Sequence, residues 1–259
     1  MNTEMQLSNI ERQTQIVIYL KEHKRIGVNT ICSIFSISEA TARRDLEELA
    51  QDGRVQRVRG GAIALEKSPP ELPILIREGE QKEEKQCIGK AAAKLVETGD
   101  TVFLGSGTTV LEVAKCLYDH QGLTIITNSL PVINALVGRL GIKLIIIGGI
   151  LRDSELSFIG HITEKALSEV HADKVILGAR AISLENGLTN DYLNETLTDR
   201  AIIKSSEHVI LVADNTKCGS ISTAFLAPLS DIDTFVTDSK TDPEFIQSLR
   251  EMGIHVISA

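Results

Sequence analysis

From residue 81 to its end the sequence repeats one theme, a short run of Val, Ile and Leu followed by about ten residues at helical spacing. The runs are TVFL (101–104), LTIITN (123–128), KLIIIGG (143–149), DKVILGA (173–179), HVILVAD (208–214), DTFVTD (233–238) and IHVISA (254–259). A strand with one wet face alternates apolar and polar residues, whereas these runs are nearly unbroken, so both of their faces are covered. The intervening segments, such as 84–96, 109–117, 130–140, 161–170, 194–206 and 242–253, supply the covering helices. Helix alternating with strand predicts an α/β unit over residues 81–259, built on a mainly parallel sheet.

Residues 1–65 have a different texture. IERQTQIVIYLKEH places Ile10, Ile16, Val17 and Leu20 at helical spacing, and VNTICSIF puts Ile31, Ile34 and Phe35 on one side of a second helix. SEATARRDLEELAQDG reads as a third helix, N-capped by Ser38, facing inward through Ala42, Leu46 and Leu49 and stopped at Asp52-Gly53. RVQRV and AIAL then flank Arg59-Gly60-Gly61, the pattern of a hairpin with a glycine turn. Residues 66–80, EKSPPELPILIREGE, hold three of the six prolines and no clean period, which marks a linker. The fold class is therefore a small N-terminal winged helix-turn-helix joined to a mainly parallel-sheet α/β domain.

Charge divides along the same boundary. The chain carries −8 overall, but residues 1–65 hold 9 Lys and Arg against 8 Asp and Glu, and the remainder holds 18 against 27. Arg43, Arg44, Arg54, Arg57 and Arg59 concentrate the positive charge of the first unit, and a local basic patch on an acidic protein suffices for nucleic acid. In a winged helix-turn-helix the third helix enters the major groove, so Ser38, Glu39, Thr41 and Arg43 are candidates for base edges or phosphates, with Arg44 beside them. Arg57 and Arg59 of the wing are candidates for the adjacent backbone or minor groove. Taken alone, Arg43-Arg44 reads equally as a solvated face paired with Asp45, Glu47 and Glu48; the helix, turn, helix and wing context favours DNA. The four cysteines, Cys32, Cys87, Cys116 and Cys218, lie far apart without metal-ligand spacing, so neither a disulfide nor a metal site is expected. No apolar run approaches the roughly 18 residues of a membrane helix, and the polar N-terminus lacks a signal-peptide core, which leaves the cytoplasm as the expected location.

The stretch TVFLGSGTT (101–109) ends a strand in a loop rich in amides and hydroxyls. Gly105 and Gly107 fit the start of a dinucleotide fingerprint, but Val110 stands where the third glycine belongs and the next strand ends in Asn128 rather than an acid. No Gly-Lys-Ser/Thr follows either, so no nucleotide cofactor is expected. What remains is an anion cradle at a helix N-terminus formed by Gly105, Ser106, Gly107, Thr108 and Thr109. Strand ends converging on the same sheet edge add Asn128, Ser129, Gly149, Arg152 and Lys217 as effector-contact candidates, the two cations suited to a phosphate or carboxylate.

Two longer patterns carry a resemblance. Arg12, Ile16 and Leu20, followed by Ser38-x-x-Thr41-Ala42-Arg43-Arg44-Asp45-Leu46 and the trailing RVQRVRGGA, resemble the N-terminal signature of the DeoR family of bacterial sugar-metabolism regulators over residues 12–62. GSGTT, TNSL, GGILR, SFIGHITEKAL and LVADNTKCG resemble the effector domain of the same family, itself similar to the ribose-5-phosphate isomerase fold. The resemblance implies DNA contacts at Arg43, Arg44 and the wing arginines, a packing role for Asp45 and Leu46, and a sugar-phosphate cradle at Ser106 to Thr109. The chain departs from the family pattern at three places: Gly105 where an acid is usual, Gly178 to Ser183 in place of an acid-bearing run, and Asp199-Arg200 in place of a Lys-Arg pair. Because two hydroxyl-holding acids are missing and an arginine is added, we expect a ligand other than a plain phosphosugar, one more anionic or otherwise modified.

An isomerase needs a carboxylate base beside its substrate. The missing acids leave only Glu195, inside an expected helix where a solvated or salt-bridged position is the simpler reading. No catalytic residue is expected; the chain reads as a receptor, a ligand-controlled repressor of carbohydrate uptake or catabolism genes. Open alternatives are a sugar-phosphate isomerase with a DNA-binding appendage, and an activator or corepressor-dependent regulator. Palindromic operators need paired readers, so the expected partners are double-stranded operator DNA, a sugar-phosphate-like effector and further copies in a homodimer or homotetramer.

Overall fold

The computed structural model describes residues 9–51, 55–64, 66–67 and 71–259; Asp52-Gly53, the expected helix stop, and Pro69-Pro70 of the expected linker lie outside them. The first unit runs α1 (Asn9–His23), β1 (Arg25–Gly27), α2 (Val28–Phe35), α3 (Glu39–Gln51), β2 (Val55–Val58) and β3 (Gly61–Ala64). Ile16, Leu20, Ile31, Ala42, Leu46 and Leu49 form its core. Two residues expected inside it are outside: Ile10 is 75% and Ile34 47% exposed. At about 100° per residue, Ile34 sits roughly a quarter turn or more off the stripe of Val28, Ile31 and Phe35. Ile10 belongs to the first turn of α1, which meets α3 through polar groups instead. There Arg12 donates Nε and Nη2 to the two oxygens of Asp45, at 2.5 and 2.9 Å, and Gln13 donates to Glu48 at 2.6 Å. This fork–carboxylate pair is nearly buried and fixes the tilt of α3 on α1, a geometry that only a bidentate guanidinium supplies.

The hairpin forms where the sequence places it, β2 against β3 with a turn at Arg59-Gly60, and Gly60 takes φ +83°, the left-handed region that suits glycine. The added strand β1 pairs with β3 and ties the wing to the helices.

Beyond the wing come β4 (Glu66–Lys67), α4 (Ile74–Arg77) and α5 (Lys82–Ala93), then β5 (Thr101–Leu104), α6 (Thr108–Cys116), β6 (Leu123–Thr127), α7 (Leu130–Leu136) and β7 (Ile142–Ile146). A hairpin of β8 (Ile150–Arg152) and β9 (Ser157–Ile159) precedes α8 (His161–Leu167), β10 (Lys174–Leu177), β11 (Ala181–Ser183), β12 (Gly187–Asn190) and α9 (Leu193–Ile203). The chain closes with β13 (Val209–Val212), a 3-10 turn at Asn215–Lys217, β14 (Ser220–Ile221), β15 (Ala224–Ala227), β16 (Thr234–Thr237), α10 (Pro243–Glu251) and β17 (His255–Ser258).

The main sheet has seven strands in the order β17-β16-β13-β10-β5-β6-β7, and every pairing in it is parallel. Alternate residues feed two cores: Phe103, Val175, Leu177 and Leu211 on one face, Val102, Leu104, Ile176 and Ile210 on the other. The unbroken apolar runs follow from that double burial. From β5 the chain winds outward through β6 and β7, then returns to place β10 on the opposite side of β5. The loops leaving β5 and β10 therefore diverge, and in open parallel sheets this reversal point opens a crevice at the carboxyl ends of the strands.

Within the expected connection, Glu66–Lys67 pair in parallel with Ser220–Ile221, and Ile74 is buried with its N–H donating to the Ser154 carbonyl at 2.8 Å.

Candidate functional site

The crevice between β5 and β10 is a pocket enclosing about 80 Å3. One wall is Ser106 to Val110, the turn into α6. Gly107 adopts φ +113° there and has open space around it, so the turn demands glycine for its backbone angle rather than for room. Glycine also has no side chain to cap the helix, which leaves the first amides of α6, and the positive end of its dipole, at the pocket wall. Lys217 enters from the 3-10 turn after β13, and Lys85 from α5. Lys85 donates Nζ to the carbonyls of Arg77 and Glu80 at 2.8 and 2.6 Å. Among the described residues neither lysine has a carboxylate within ion-pair distance, and burial pushes the pKa of both below the ordinary lysine value. Two desolvated ammonium groups thus stand beside a helix N-terminus, which concentrates positive potential on this wall.

The opposite wall is acidic and tightly paired. Glu195 of α9 is buried, ion-paired to Arg152 and accepts a hydrogen bond from Ser157 Oγ at 3.2 Å. Burial, helped by nearby Glu71 and Asp191 and opposed by Arg152, raises its pKa to about 7. Asp199, one turn on, accepts from Asn190 Nδ2 at 2.8 Å, and desolvation with the neighbouring Glu195 drives its pKa well upward. Arg77 bridges Glu71, at 2.9 Å, and Glu155. Arg180 lines the same space from the loop after β10, 3.9 Å from Asp191.

The expected effector residues divide on this map. Ser106, Gly107, Thr108, Thr109 and Lys217 line the pocket together. Gly105 continues the sheet, its N–H donating to the Ile176 carbonyl at 3.0 Å, and it faces Leu177 rather than the cavity. Asn128 and Ser129 are buried beneath it; Asn128 Nδ2 donates to the Phe158 carbonyl at 2.9 Å, holding the β8–β9 hairpin. Gly149 packs on α8, where a Cβ would meet Thr163 Oγ1 at 2.0 Å. Arg152 stands behind Glu195, its guanidinium 4.6 Å above the Tyr192 ring.

Glu71, Arg77, Lys85, Glu155, Glu195 and Asp199 also line the cavity, none of them among the expected contacts. They reach the pocket from the segment before α5, from α5 itself, from the β8–β9 hairpin and from α9, elements whose order along the chain says nothing about convergence. The more anionic ligand is expected because acids are absent at Gly105 and at 178–183; the cavity nevertheless carries carboxyl groups, brought by Glu195 and Asp199 from α9. Glu195 is salt-bridged and buried rather than solvated, since α9 lies over the crevice.

On the DNA-reading unit, Ser38 Oγ accepts the Thr41 N–H at 3.2 Å and lies 2.9 Å from Thr41 Oγ1, so Ser38 serves as the cap of α3. Arg43 is exposed and pairs with Glu39 on the same face, and Arg44 is exposed next to it. In the wing, Arg59 is exposed at the turn, while Arg57 folds back, donating Nη1 to the Gly61 carbonyl at 2.9 Å and its backbone N–H to Glu185 at 2.8 Å. Exposed arginines thus cluster at the start of α3 and at the wing tip, the two places from which this motif touches a duplex. Among the described residues, no helix is long and apolar enough to cross a membrane.

Comparison with known proteins agrees with both halves. Residues 12–68 match the DeoR-like helix-turn-helix domain, and residues 80–239 match the DeoR C terminal sensor domain. The chain is 36% identical over 236 residues to the transcriptional repressor AccR of Agrobacterium fabrum, covering 90% of this chain and 91% of that one. It is 33% identical over 250 residues to the glycerol-3-phosphate regulon repressor of Escherichia coli (96% and 99%), and 34% identical over 246 residues to the HTH-type transcriptional regulator YulB of Bacillus subtilis (95% of each). A ribose 5-phosphate isomerase from Methanocaldococcus jannaschii superposes on 54% of the chain, and 55% of its own, at 18% identity and a TM-score of 0.39. The chain, a winged helix-turn-helix ahead of a sensor domain, belongs to the DeoR family of DNA-binding transcriptional regulators.

Proposed function

We propose that the protein represses genes of carbohydrate uptake or catabolism, and that a phosphorylated sugar or polyol in the β5–β10 crevice lowers its affinity for operator DNA. The observation that carries this reading is a pair of lysines, Lys85 and Lys217, that meet no carboxylate within ion-pair distance among the described residues and are set beside the uncapped N-terminus of α6. Phosphate satisfies all three groups. The acidic wall of Glu195 and Asp199, with Asn190, accepts hydroxyl hydrogens on the remainder of the ligand, so the two walls read the two ends of a phosphosugar. The names of relatives that repress the glycerol-3-phosphate regulon and the aga operon support the metabolic setting. Release from DNA requires only that the ligand bind two conformations unequally. A palindromic operator pairs two winged helices, so the acting species is a dimer or a pair of dimers.

Isothermal calorimetry tests the ligand class, with ribose 5-phosphate, glucose 6-phosphate, glycerol 3-phosphate, their unphosphorylated parents and gluconate as titrants. Phosphorylated compounds bind and their parents do not. Equal affinity for a sugar and its phosphate, or for gluconate alone, would refute the anion cradle.

A further inference from the structure

Residues 214–219 have two working faces. On one side Asp214, Thr216 and Lys217 line the effector pocket. On the other, Asn215, Cys218 and Gly219 line a second cavity of about 260 Å3, shared with Gln56, Val58 and Ile63 of the wing and with Lys240, Asp242 and Phe245. The turn is held in shape from both ends: Asp214 Oδ1 accepts the Thr216 N–H at 3.0 Å, and Asp238 Oδ2 accepts the Asn215 N–H at 2.6 Å. A shape this well fixed moves as a unit rather than deforming locally.

Its wing face is unfinished. Gln56 is fully buried, yet neither atom of its carboxamide has a hydrogen-bond partner among the described residues, and the same holds for Asn215 Oδ1 across the cavity. Buried amides almost always find partners, so an unmatched pair lining one cavity marks a contact that a slightly different arrangement completes. Gln56 also sits close to the turn, since a Cβ on Gly219 would lie 3.3 Å from its Oε1. Beyond Gly219 the chain enters β14, which pairs with β4, the strand leaving the wing. A second link runs in parallel: the Gly219 N–H donates to the Ile182 carbonyl at 2.8 Å, and the β11–β12 turn that follows places Glu185 on the Arg57 N–H.

Resting on the proposed anion pocket, we infer that residues 214–219 are the transmission element between effector and operator, with Gln56 as the wing residue that receives the movement. An anion drawn onto Lys217 shifts the 3-10 turn toward α6. Asn215 and Gly219 move with it, and the wing follows through Gln56 and β4. Binding energy at the crevice thereby changes the angle at which Arg59 and α3 meet the duplex.

The test uses the full chain, the DNA fragment preceding its own gene, and the tightest calorimetric binder among glycerol 3-phosphate, glucose 6-phosphate, ribose 5-phosphate and inorganic phosphate. In wild type the probe weakens operator binding about tenfold, within the usual range of coupling between sites. Gln56→Leu and Asn215→Ala bind the probe and the free operator as wild type does, but the probe now weakens operator binding less than about twofold. Hydrogen exchange on the wild-type protein gives a readout independent of variant folding: adding probe changes exchange at residues 214–221 and 55–63 together. An undiminished response in Gln56→Leu, or exchange changes at the pocket with none at 55–63, overturns the coupling and leaves the pocket standing. A wild type that binds none of the four probes overturns the pocket, and the coupling with it.

Discussion

Lys217→Met separates a ligand-binding lysine from a structural one, because the two roles move stability in opposite directions. Lys217 has no carboxylate within ion-pair distance among the described residues, and its folded-state pKa is lowered first by burial and then by Arg180, with Asp214 opposing. Between that lowered value and 10.5 the unfolded chain holds more protons than the folded one, so wild-type stability rises with pH there. Below that window, at neutral pH, the charged lysine costs folding energy. Met keeps most of the length and the apolar stem, so the variant unfolds at higher urea than wild type at pH 7, and the gap narrows at pH 10. Binding moves the other way. A hydrogen bond to a charged group contributes ~1.5–3 kcal/mol, which is a loss of roughly 10- to 150-fold in affinity for a phosphosugar. Urea denaturation by circular dichroism at the two pH values, with calorimetric titration of the same preparations, reads both effects. A variant that is less stable at pH 7 and still binds within about twofold of wild type would show that Lys217 holds the fold together rather than the ligand.

Three further outcomes follow from other parts of the molecule. Arg43→Ala and Arg44→Ala abolish operator shifts at moderate salt while leaving melting within about 0.5 kcal/mol of wild type, since both side chains are exposed and the Arg43–Glu39 pair is a surface one; retained shifts by both would mean that α3 is not the reading helix. Asp45→Ala takes from the nearly buried Arg12 guanidinium the carboxylate that holds both its Nε and Nη2, and costs about 3 kcal/mol, the lower end for breaking a buried pair, seen as an early unfolding step that removes DNA binding but not ligand binding. Glu195, raised to about 7, binds a proton in the folded state that the unfolded chain releases near 4.5, so ligand-free stability falls as pH rises from 4.5 to 7. Glu195→Gln flattens that fall by up to about 1.4 kcal/mol per pH unit, measured by melts across the window, and an unchanged slope would place the titrating group elsewhere.

Much of the fold is legible without coordinates because its signals are local. The helices at 9–23, 28–35 and 39–51 and the seven sheet strands follow from apolar periodicity, which records burial residue by residue. The short pieces, β1, β4, β8, β9, β11, β12, β14 and β15, carry no such pattern. They are two to four residues long and exist because a partner strand meets them, as Glu66–Lys67 meet Ser220–Ile221.

The candidate site splits in the same way. GSGTT announces itself because a glycine turn ahead of a helix is a contiguous device, with its amides, dipole and hydroxyls all in five residues. Thus the sequence by itself determined a winged DNA reader, a parallel sheet and one wall of the crevice. Only the tertiary structure decided the other wall and the company each charge keeps. It sent Asn128, Ser129 and Gly149 into packing, put Arg152 behind Glu195, and brought Arg77, Lys85, Glu195 and Asp199 to the crevice from three separate elements. The reason is that spacing along a chain fixes which residues share a helix or strand face, whereas electrostatic partnership depends on which elements cross, and strand order sets that.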